Sequence, residues 1–196
     1  MGRRIAEDAV GRLQAYGRWL VEEAIPAGGL GPREAARLWD RHLLDALSFA
    51  GAFRREPDGI LDLGSGVGLP GIPLAILHSD VEVVLLDRSQ RRVDLARRAV
   101  RLLGLGNVEV VAGELERTGL AASTVVARGV AAPARLLPRL LPRIAPGGLA
   151  VVGLSRARAR PASPPPPPGT RLELVSVPPD VLDSGAWLLR MEVPRR

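Results

Sequence analysis

The hydrophobic positions of the chain follow two different periods. Between residues 3 and 24, and again from Arg33 until the pattern fades near Arg54, apolar side chains recur every three to four positions. This spacing predicts two amphipathic helices, with a segment rich in glycine and proline between them. From Gly59 onward, short and nearly continuous apolar runs replace the helical pattern. We therefore predict an N-terminal helical extension over residues 1–55, packed on a second unit over residues 56–196.

The second unit alternates short apolar runs with helical stretches. Five runs predict strands, at Ile60–Leu63, Val81–Asp87, Val108–Ala112, Thr124–Ala127 and Gly148–Leu154. Helical spacing occurs between them over residues 72–78, 89–103 and 133–144. This alternation is typical of a doubly wound α/β fold, in which helices cover both faces of a mostly parallel sheet. After an arginine- and proline-rich loop over residues 155–169, two β-like runs at 171–177 and 186–193 predict an antiparallel hairpin at the sheet edge.

Composition narrows the classes of function. The 196 residues include no cysteine, which excludes a disulfide framework, a thiolate nucleophile and a cysteine-bound zinc ion, and we expect no metal site. All 27 basic residues are arginine, and the net charge of +6 only weakly favours a polyanionic partner. With three Trp, one Tyr and two Phe, a surface that stacks successive bases is not expected. No long apolar run and no signal-peptide pattern occur, so we expect no membrane segment and a cytoplasmic protein.

The most informative segment joins the first predicted strand to the helix that follows it. It reads DLGSGVGLPG over residues 62–71. Glycines at the end of a strand let the backbone approach a ligand closely, with the N–H groups of the next helix facing it. Asp87 ends the following strand, where an acid can accept hydrogen bonds from both hydroxyls of a ribose. The two features predict a pocket for an adenosine-containing ligand at the carboxyl ends of the strands.

Two ligand classes fit the glycine pattern. Gly66-x-Gly68-x-x-Gly71 satisfies the dinucleotide fingerprint, whereas Asp62-x-Gly64-x-Gly66-x-Gly68 is the pattern of S-adenosylmethionine-dependent methyltransferases. The carboxylate of Asp62 favours the second class, since it suits the cationic amino group of a methionyl tail and would repel a pyrophosphate. A nicotinamide-dependent oxidoreductase is the remote alternative. A further alternative is that the glycine turn binds no ligand and only connects the strand to the helix.

Five motifs follow one another along the chain, namely Arg41-His42-Leu43-Leu44-Asp45, DLGSGVGLPGIPL over residues 62–74, Leu85-Leu86-Asp87, Ala127-Arg128 and Ala145-Pro146-Gly147-Gly148. In these motifs and their order the chain resembles the RsmG (GidB) family, bacterial enzymes that methylate guanine N7 in the 530 loop (nucleotide 527) of 16S ribosomal RNA. The resemblance covers about residues 10–155. It implies the Rossmann-like fold of class I methyltransferases, S-adenosylmethionine as methyl donor, and 16S ribosomal RNA or the 30S subunit as partner. We expect a monomer.

The resemblance and the glycine turn together imply a set of site residues. The predicted donor contacts are Asp62, Gly64, Gly66, Gly68, Leu69, Asp87, Leu115, Glu116 and Arg128. Among them, Glu116 follows the third strand, where an acid is well placed to receive the adenine amino group. Arg128 is also the candidate catalytic residue, at the mouth of the pocket. The candidates for RNA contact are Arg41, His42, Arg88, Arg91 and Arg156.

The RNA-facing side departs from the family's usual pattern. Ala127-Arg128-Gly129 stands where the family usually has Ser-Arg-Ala, and a Lys-Gly pair after the fifth strand is missing. These departures leave two alternatives open, a methyltransferase for a small metabolite and a donor-binding paralogue without catalysis. Three arginines on the helix before the fifth strand, Arg135, Arg139 and Arg143, form either a phosphate-contacting row or a solvated face.

Overall fold

The computed structural model describes residues 6–154, 156–157, 159–178, 181–182 and 184–195. The first residues of the predicted N-terminal helix, 3–5, and Ser155 and Arg158 of the predicted arginine- and proline-rich loop lie outside the described residues. None of the helices formed within these ranges is long and apolar enough to cross a membrane.

Seven strands form one sheet in the order β3-β2-β1-β4-β5-β7-β6. They are β1 Ile60–Leu63, β2 Val83–Asp87, β3 Val108–Ala112, β4 Ala122–Arg128, β5 Ile144–Gly153, β6 Arg171–Val177 and β7 Ala186–Glu192. Strands β1 to β5 are parallel, while β7 pairs antiparallel with both β5 and β6. The predicted doubly wound sheet with an antiparallel edge hairpin is therefore confirmed. The strand order reverses between β1 and β4, and such a switch point opens a crevice at the carboxyl ends of the strands.

The helices match the predicted pattern except in the second N-terminal segment. Helix α1 spans Glu7–Trp19 and continues as a π-helical turn over Leu20–Ala24, while α3, α4 and α5 span Gly71–Leu77, Gln90–Leu103 and Pro133–Leu140. Instead of one helix from Arg33 to Arg54, short turns follow one another at Ala35–Arg37, Trp39–Leu44, α2 Asp45–Ser48 and Phe49–Ala52. Apolar side chains at helical spacing do not distinguish such turns from a regular helix, because all of them bury one face.

Two hydrophobic layers sandwich the sheet. One contains the buried side of α1 together with residues of α3 and α4, and the other contains Leu136, Leu137 and Leu140 of α5. Successive residues of β1 alternate between the layers, so Ile60 joins the first and Leu61 the second. Asp62 therefore faces the first layer, towards α3. The N-terminal segment shares this layer with the sheet, whereas its status as a separate extension remains a prediction.

The start of α3 leaves no room for a side chain at Gly71. A Cβ at this position would lie 2.7 Å from the Oδ2 atom of Asp62 and closer still to the Cδ2 atom of Leu85. We expect Gly71→Ala to lower the free energy of unfolding by about 2 kcal/mol, because overpacking displaces both neighbours. Chemical denaturation measures the change. Gly106→Ala is the matched control, since a Cβ there would meet no atom within 4 Å, and an equal loss in both variants would contradict the packing argument.

Candidate functional site

The glycine turn at the end of β1 has an unusual backbone conformation. Gly64, Gly66 and Gly68 have φ angles of +68°, +60° and +105°, in the left-handed region that side chains disfavour. The Gly64 N–H donates to the carbonyl of Leu86 over 2.7 Å, and the Gly66 N–H donates to Asp87 Oδ2 over 2.9 Å. The turn is therefore fixed to the end of β2, beside the acid that the sequence singles out.

Asp87 lies at the centre of the site. Its side chain is 4% exposed, and its Oδ1 atom accepts a second backbone hydrogen bond, from the Ser89 N–H over 2.8 Å. It borders a cavity of about 420 Å³, which we call the Asp87 cavity. The lining residues are Leu63, Gly64, Leu86, Asp87, Arg88, Arg92, Gly113, Glu114, Leu115, Glu116, Gly129, Val130 and Arg139. Five predicted site residues thus meet at one cavity, namely Gly64, Asp87, Arg88, Leu115 and Glu116.

Asp62 binds the far end of the glycine turn, where α3 begins. It is 0% exposed, and its Oδ2 atom accepts a hydrogen bond from the Gly71 N–H over 2.7 Å. Its Oδ1 atom is buried and finds no hydrogen-bond partner among the described residues. Burial away from water raises the pKa of Asp62 from 3.8 to about 7, against the opposing effect of the Gly71 hydrogen bond. Asp62 is not among the lining residues of the Asp87 cavity, and its contact with an amino group stays a prediction.

Glu116 stands on a single helical turn, Leu115–Arg117, that follows β3. Its Oε1 atom accepts a hydrogen bond from the Nε atom of Arg139 on α5 over 2.6 Å, and this bond lowers the pKa of Glu116. Arg143, from the turn after α5, donates to the Thr118 carbonyl over 2.7 Å. Two of the three arginines predicted as a row on this helix therefore contact the segment after β3. Sequence spacing identified the row but gave no sign of these partners.

Arg128 lies in a neighbouring cavity of about 650 Å³, which we call the Arg128 cavity. It is lined by Glu34, Arg41, His42, Asp45, Arg128, Gly129, Val130, Ala131, Ala132, Pro133, Gly153, Leu154 and Arg156. The Nη1 atom of Arg128 donates to Asp45 Oδ2 over 2.9 Å and to the Arg41 carbonyl over 3.3 Å. The end of β4 is thereby joined to the turn over residues 39–44 and to α2.

His42 and Arg156 extend this charged network. The Nε2 atom of His42 lies 3.0 Å from Glu34 Oε2, and burial lowers the pKa of His42 although this partner opposes the effect. Arg156 contacts both the carboxylate and the carbonyl of Asp40. Three of the five residues predicted for RNA contact, Arg41, His42 and Arg156, thus line the same cavity.

The two cavities share a wall formed by Gly129 and Val130. Val130 packs so closely onto the glycine turn that a Cβ at Gly64 would lie 2.6 Å from the Cγ2 atom of Val130. Gly129 has a φ angle of +67°, which suits the glycine that replaces the family's usual alanine here. No signal in the sequence pointed to Val130.

The remaining predicted residues line neither cavity. Gly66, Gly68 and Leu69 belong to the glycine turn, and Leu69 is buried. Arg91 lies against the N-terminal segment, where a Cβ at Gly28 would be 2.5 Å from its Nη2 atom. Their contacts with donor or RNA stay predictions.

Comparison with known proteins gives the family. The model of the family described as GidB, rRNA small subunit methyltransferase G, matches residues 10–155. Ribosomal RNA small subunit methyltransferase G of Mycobacterium leprae (strain TN) is 44% identical over 148 residues, 71% of this chain and 59% of that protein. The protein of the same name from Salinispora arenicola is 40% identical over 168 residues, 79% of this chain and 68% of that protein. The chain thus spans about three fifths of the length of the Mycobacterium relative.

A solved structure shows the same fold. The S-adenosylmethionine-dependent methyltransferase from Aquifex aeolicus superposes with a TM-score of 0.59 at 18% identity, covering 91% of this chain and 98% of that one. This likeness supports the class I methyltransferase fold that the family resemblance implies. Because the family model matches well over half of the chain, the chain belongs to the rRNA small subunit methyltransferase G (GidB) family.

Proposed function

We propose that the chain transfers a methyl group from S-adenosylmethionine to N7 of a guanine in the 530 loop of 16S ribosomal RNA. The observation that carries the proposal is the Asp87 cavity, in which a glycine turn, a buried acid and Glu116 surround about 420 Å³. Membership of the GidB family supports ribosomal RNA as the substrate.

The residues around the cavity suit the adenosine half of the donor. Each oxygen of Asp87 accepts one backbone N–H, and a carboxylate oxygen can accept a further hydrogen bond. Asp87 is therefore assigned to the two ribose hydroxyls. Leu115 offers an apolar contact to the adenine ring, and Glu116 an acceptor to its amino group. The sulfonium end is assigned to the side of Gly64, next to the wall shared with the Arg128 cavity.

The chemistry needs no general base. S-adenosylmethionine supplies an electrophilic methyl group, and the N7 lone pair of guanine forms the new bond as the sulfur–carbon bond breaks. The positive charge passes from sulfur to the purine, and no proton is removed. Catalysis by this chain therefore consists of positioning the base and excluding water. Burial lowers the pKa of His42 and thereby favours its neutral form.

The Arg128 cavity is assigned to the target base. Asp45 and the Arg41 carbonyl fix the Arg128 guanidinium, leaving other N–H groups for the O6 atom of guanine, a common arginine partner. Arg41 carries positive charge at the same cavity, which suits a phosphate backbone, whereas Arg156 is paired with the Asp40 carboxylate. The guanine must leave its stack to reach this depth.

Arg128→Gln is expected to slow methyl transfer about tenfold, while the Kd for S-adenosylhomocysteine changes less than about threefold. The reason is that Arg128 lines the Arg128 cavity and not the Asp87 cavity. Single-turnover transfer and calorimetry measure the two effects. Arg33→Gln serves as the control, because it removes an exposed arginine from the turn before Ala35–Arg37. A donor Kd that rises as much as the rate falls would place Arg128 on the donor instead.

The proposed function is tested by incubating the purified chain and labelled S-adenosylmethionine with 30S subunits and with naked 16S ribosomal RNA. We expect one 7-methylguanosine, mapped by mass spectrometry to the 530 loop. Methylation of a metabolite extract without methylation of either RNA would replace the proposal with a small-molecule methyltransferase. Donor binding without transfer to RNA or metabolites would identify a paralogue without catalysis.

A further inference from the structure

One arginine of the row on α5 lines the Asp87 cavity, at the end that the proposed function assigns to the adenosine. Arg139 lies on α5, and its Nε atom donates to Glu116 Oε1 over 2.6 Å. Both residues line the Asp87 cavity. The position of Arg139 along the helix is fixed, because the neighbouring Leu136 and Leu140 are 1% and 0% exposed in the hydrophobic layer below.

Glu116 has little else to hold it. Its turn is three residues long, and only Leu115 anchors it in the core, at 3% exposure. Besides the bond from Arg139, the Glu116 carboxylate accepts a hydrogen bond from the N–H of its own backbone, which also lowers the pKa of Glu116. An unrestrained glutamate side chain samples many rotamers, and ordering it on binding costs free energy. The contact with Arg139 restricts the carboxylate before a ligand arrives.

The Glu116 carboxylate keeps acceptor capacity beside these two bonds. An ionised carboxylate has about four lone-pair sites, and Arg139 takes one of them on Oε1, so the Oε2 atom can accept a hydrogen bond from a donor group in the cavity. An ionised carboxylate only accepts hydrogen bonds, and the Arg139 contact lowers the pKa of Glu116, which keeps it ionised. A purine with an amino group at C6 offers the required donor, whereas a 6-oxo purine would set an acceptor against an acceptor.

We propose that Arg139 is a positioning residue for the methyl donor, holding Glu116 so that the site selects a 6-aminopurine over a 6-oxopurine. The inference rests on the proposed function, because it takes the ligand of the Asp87 cavity to be S-adenosylmethionine. The competing role for Arg139 is a phosphate contact with the RNA, which the same experiment distinguishes.

The experiment measures binding of S-adenosylhomocysteine and S-inosylhomocysteine by calorimetry. Arg139→Gln is expected to raise the Kd for S-adenosylhomocysteine about threefold to fivefold, and Glu116→Ala about tenfold. Because Arg139 acts through Glu116, the double variant is expected to bind no more weakly than Glu116→Ala alone. Both single variants are expected to lose discrimination against the 6-oxo compound.

A matched control is available on the same helix. Arg135→Gln removes an exposed arginine one turn earlier that does not line the cavity, and we expect no change in either Kd. Additive effects in the double variant, or unchanged discrimination in Arg139→Gln with weaker binding to 16S ribosomal RNA, would overturn the proposal. Failure of the wild-type chain to methylate RNA would contradict the proposed function, but it would not contradict the role of Arg139 in binding S-adenosylhomocysteine. Failure to bind S-adenosylhomocysteine at all would overturn both.

Discussion

Asp87→Ala is expected to weaken the binding of S-adenosylhomocysteine by about 3 kcal/mol, or about 150-fold in Kd. The substitution removes the acceptor assigned to both ribose hydroxyls, and hydrogen bonds to a charged group are the stronger ones. It also releases the Gly66 N–H and the Ser89 N–H, which the carboxylate holds at 2.9 Å and 2.8 Å. The glycine turn then loses one of its attachments to β2, while the backbone bond from the Gly64 N–H to the Leu86 carbonyl remains. Titration calorimetry on the purified chain measures the change.

Two further variants separate the role of Asp87 from the loss of charge. Asp87→Asn keeps the size of the side chain and one carbonyl acceptor, so we expect an intermediate Kd. Glu114→Ala removes an exposed acid that lines the same cavity, and its Kd is expected to stay within about twofold of wild type. An unaltered Kd in Asp87→Ala would show that the ribose binds elsewhere.

Asp62→Asn is expected to gain stability relative to the wild type as the pH rises. The pKa of Asp62 is about 7 in the folded chain, above its ordinary value of 3.8. Between these values the unfolded chain releases the proton that the folded chain keeps, so wild-type stability falls with rising pH and levels off above about pH 7. The full difference corresponds to about 4 kcal/mol. Asparagine cannot ionise, and its carbonyl can still accept the Gly71 hydrogen bond.

The measurement is urea denaturation of both proteins between about pH 5 and about pH 8. The difference in unfolding free energy, variant minus wild type, should increase by about 3 kcal/mol across this interval. Asp94→Asn removes an exposed acid on α4 and controls for the loss of one negative charge. A difference that does not change with pH would mean that the buried carboxylate ionises at its ordinary value.

The sheet and the glycine turn could be predicted because their signals are local. Apolar runs marked every strand, and β1 and β3 begin and end where the sequence placed them. The start of β5 was missed, since Ile144 pairs with Ala122 ahead of an irregularity in the β4–β5 ladder. A pairing partner of this kind is not visible in the apolar pattern of one strand. The series of turns over residues 35–52 was missed for a related reason, because one apolar face fits several kinds of helix.

The contacts that complete the site could not be predicted, because they join residues far apart in the chain. Arg128 meets Asp45 across 83 positions, and Arg139 meets Glu116 across 23. Side chains of this kind look like ordinary surface charges in a sequence with many arginines. Resemblance to a family identified Arg128 and Glu116, but not the partners that orient them. Val130 was missed because its importance follows only from its position above Gly64.

The most direct test is a crystal structure of the chain grown with S-adenosylhomocysteine. We expect the adenosine in the Asp87 cavity, with both ribose hydroxyls on Asp87 and the adenine amino group at Glu116. The sulfur should lie beside Gly64, facing the wall formed by Gly129 and Val130. An adenosine bound outside this cavity, or ribose hydroxyls without contact to Asp87, would show that the Asp87 cavity is not the site of the methyl donor.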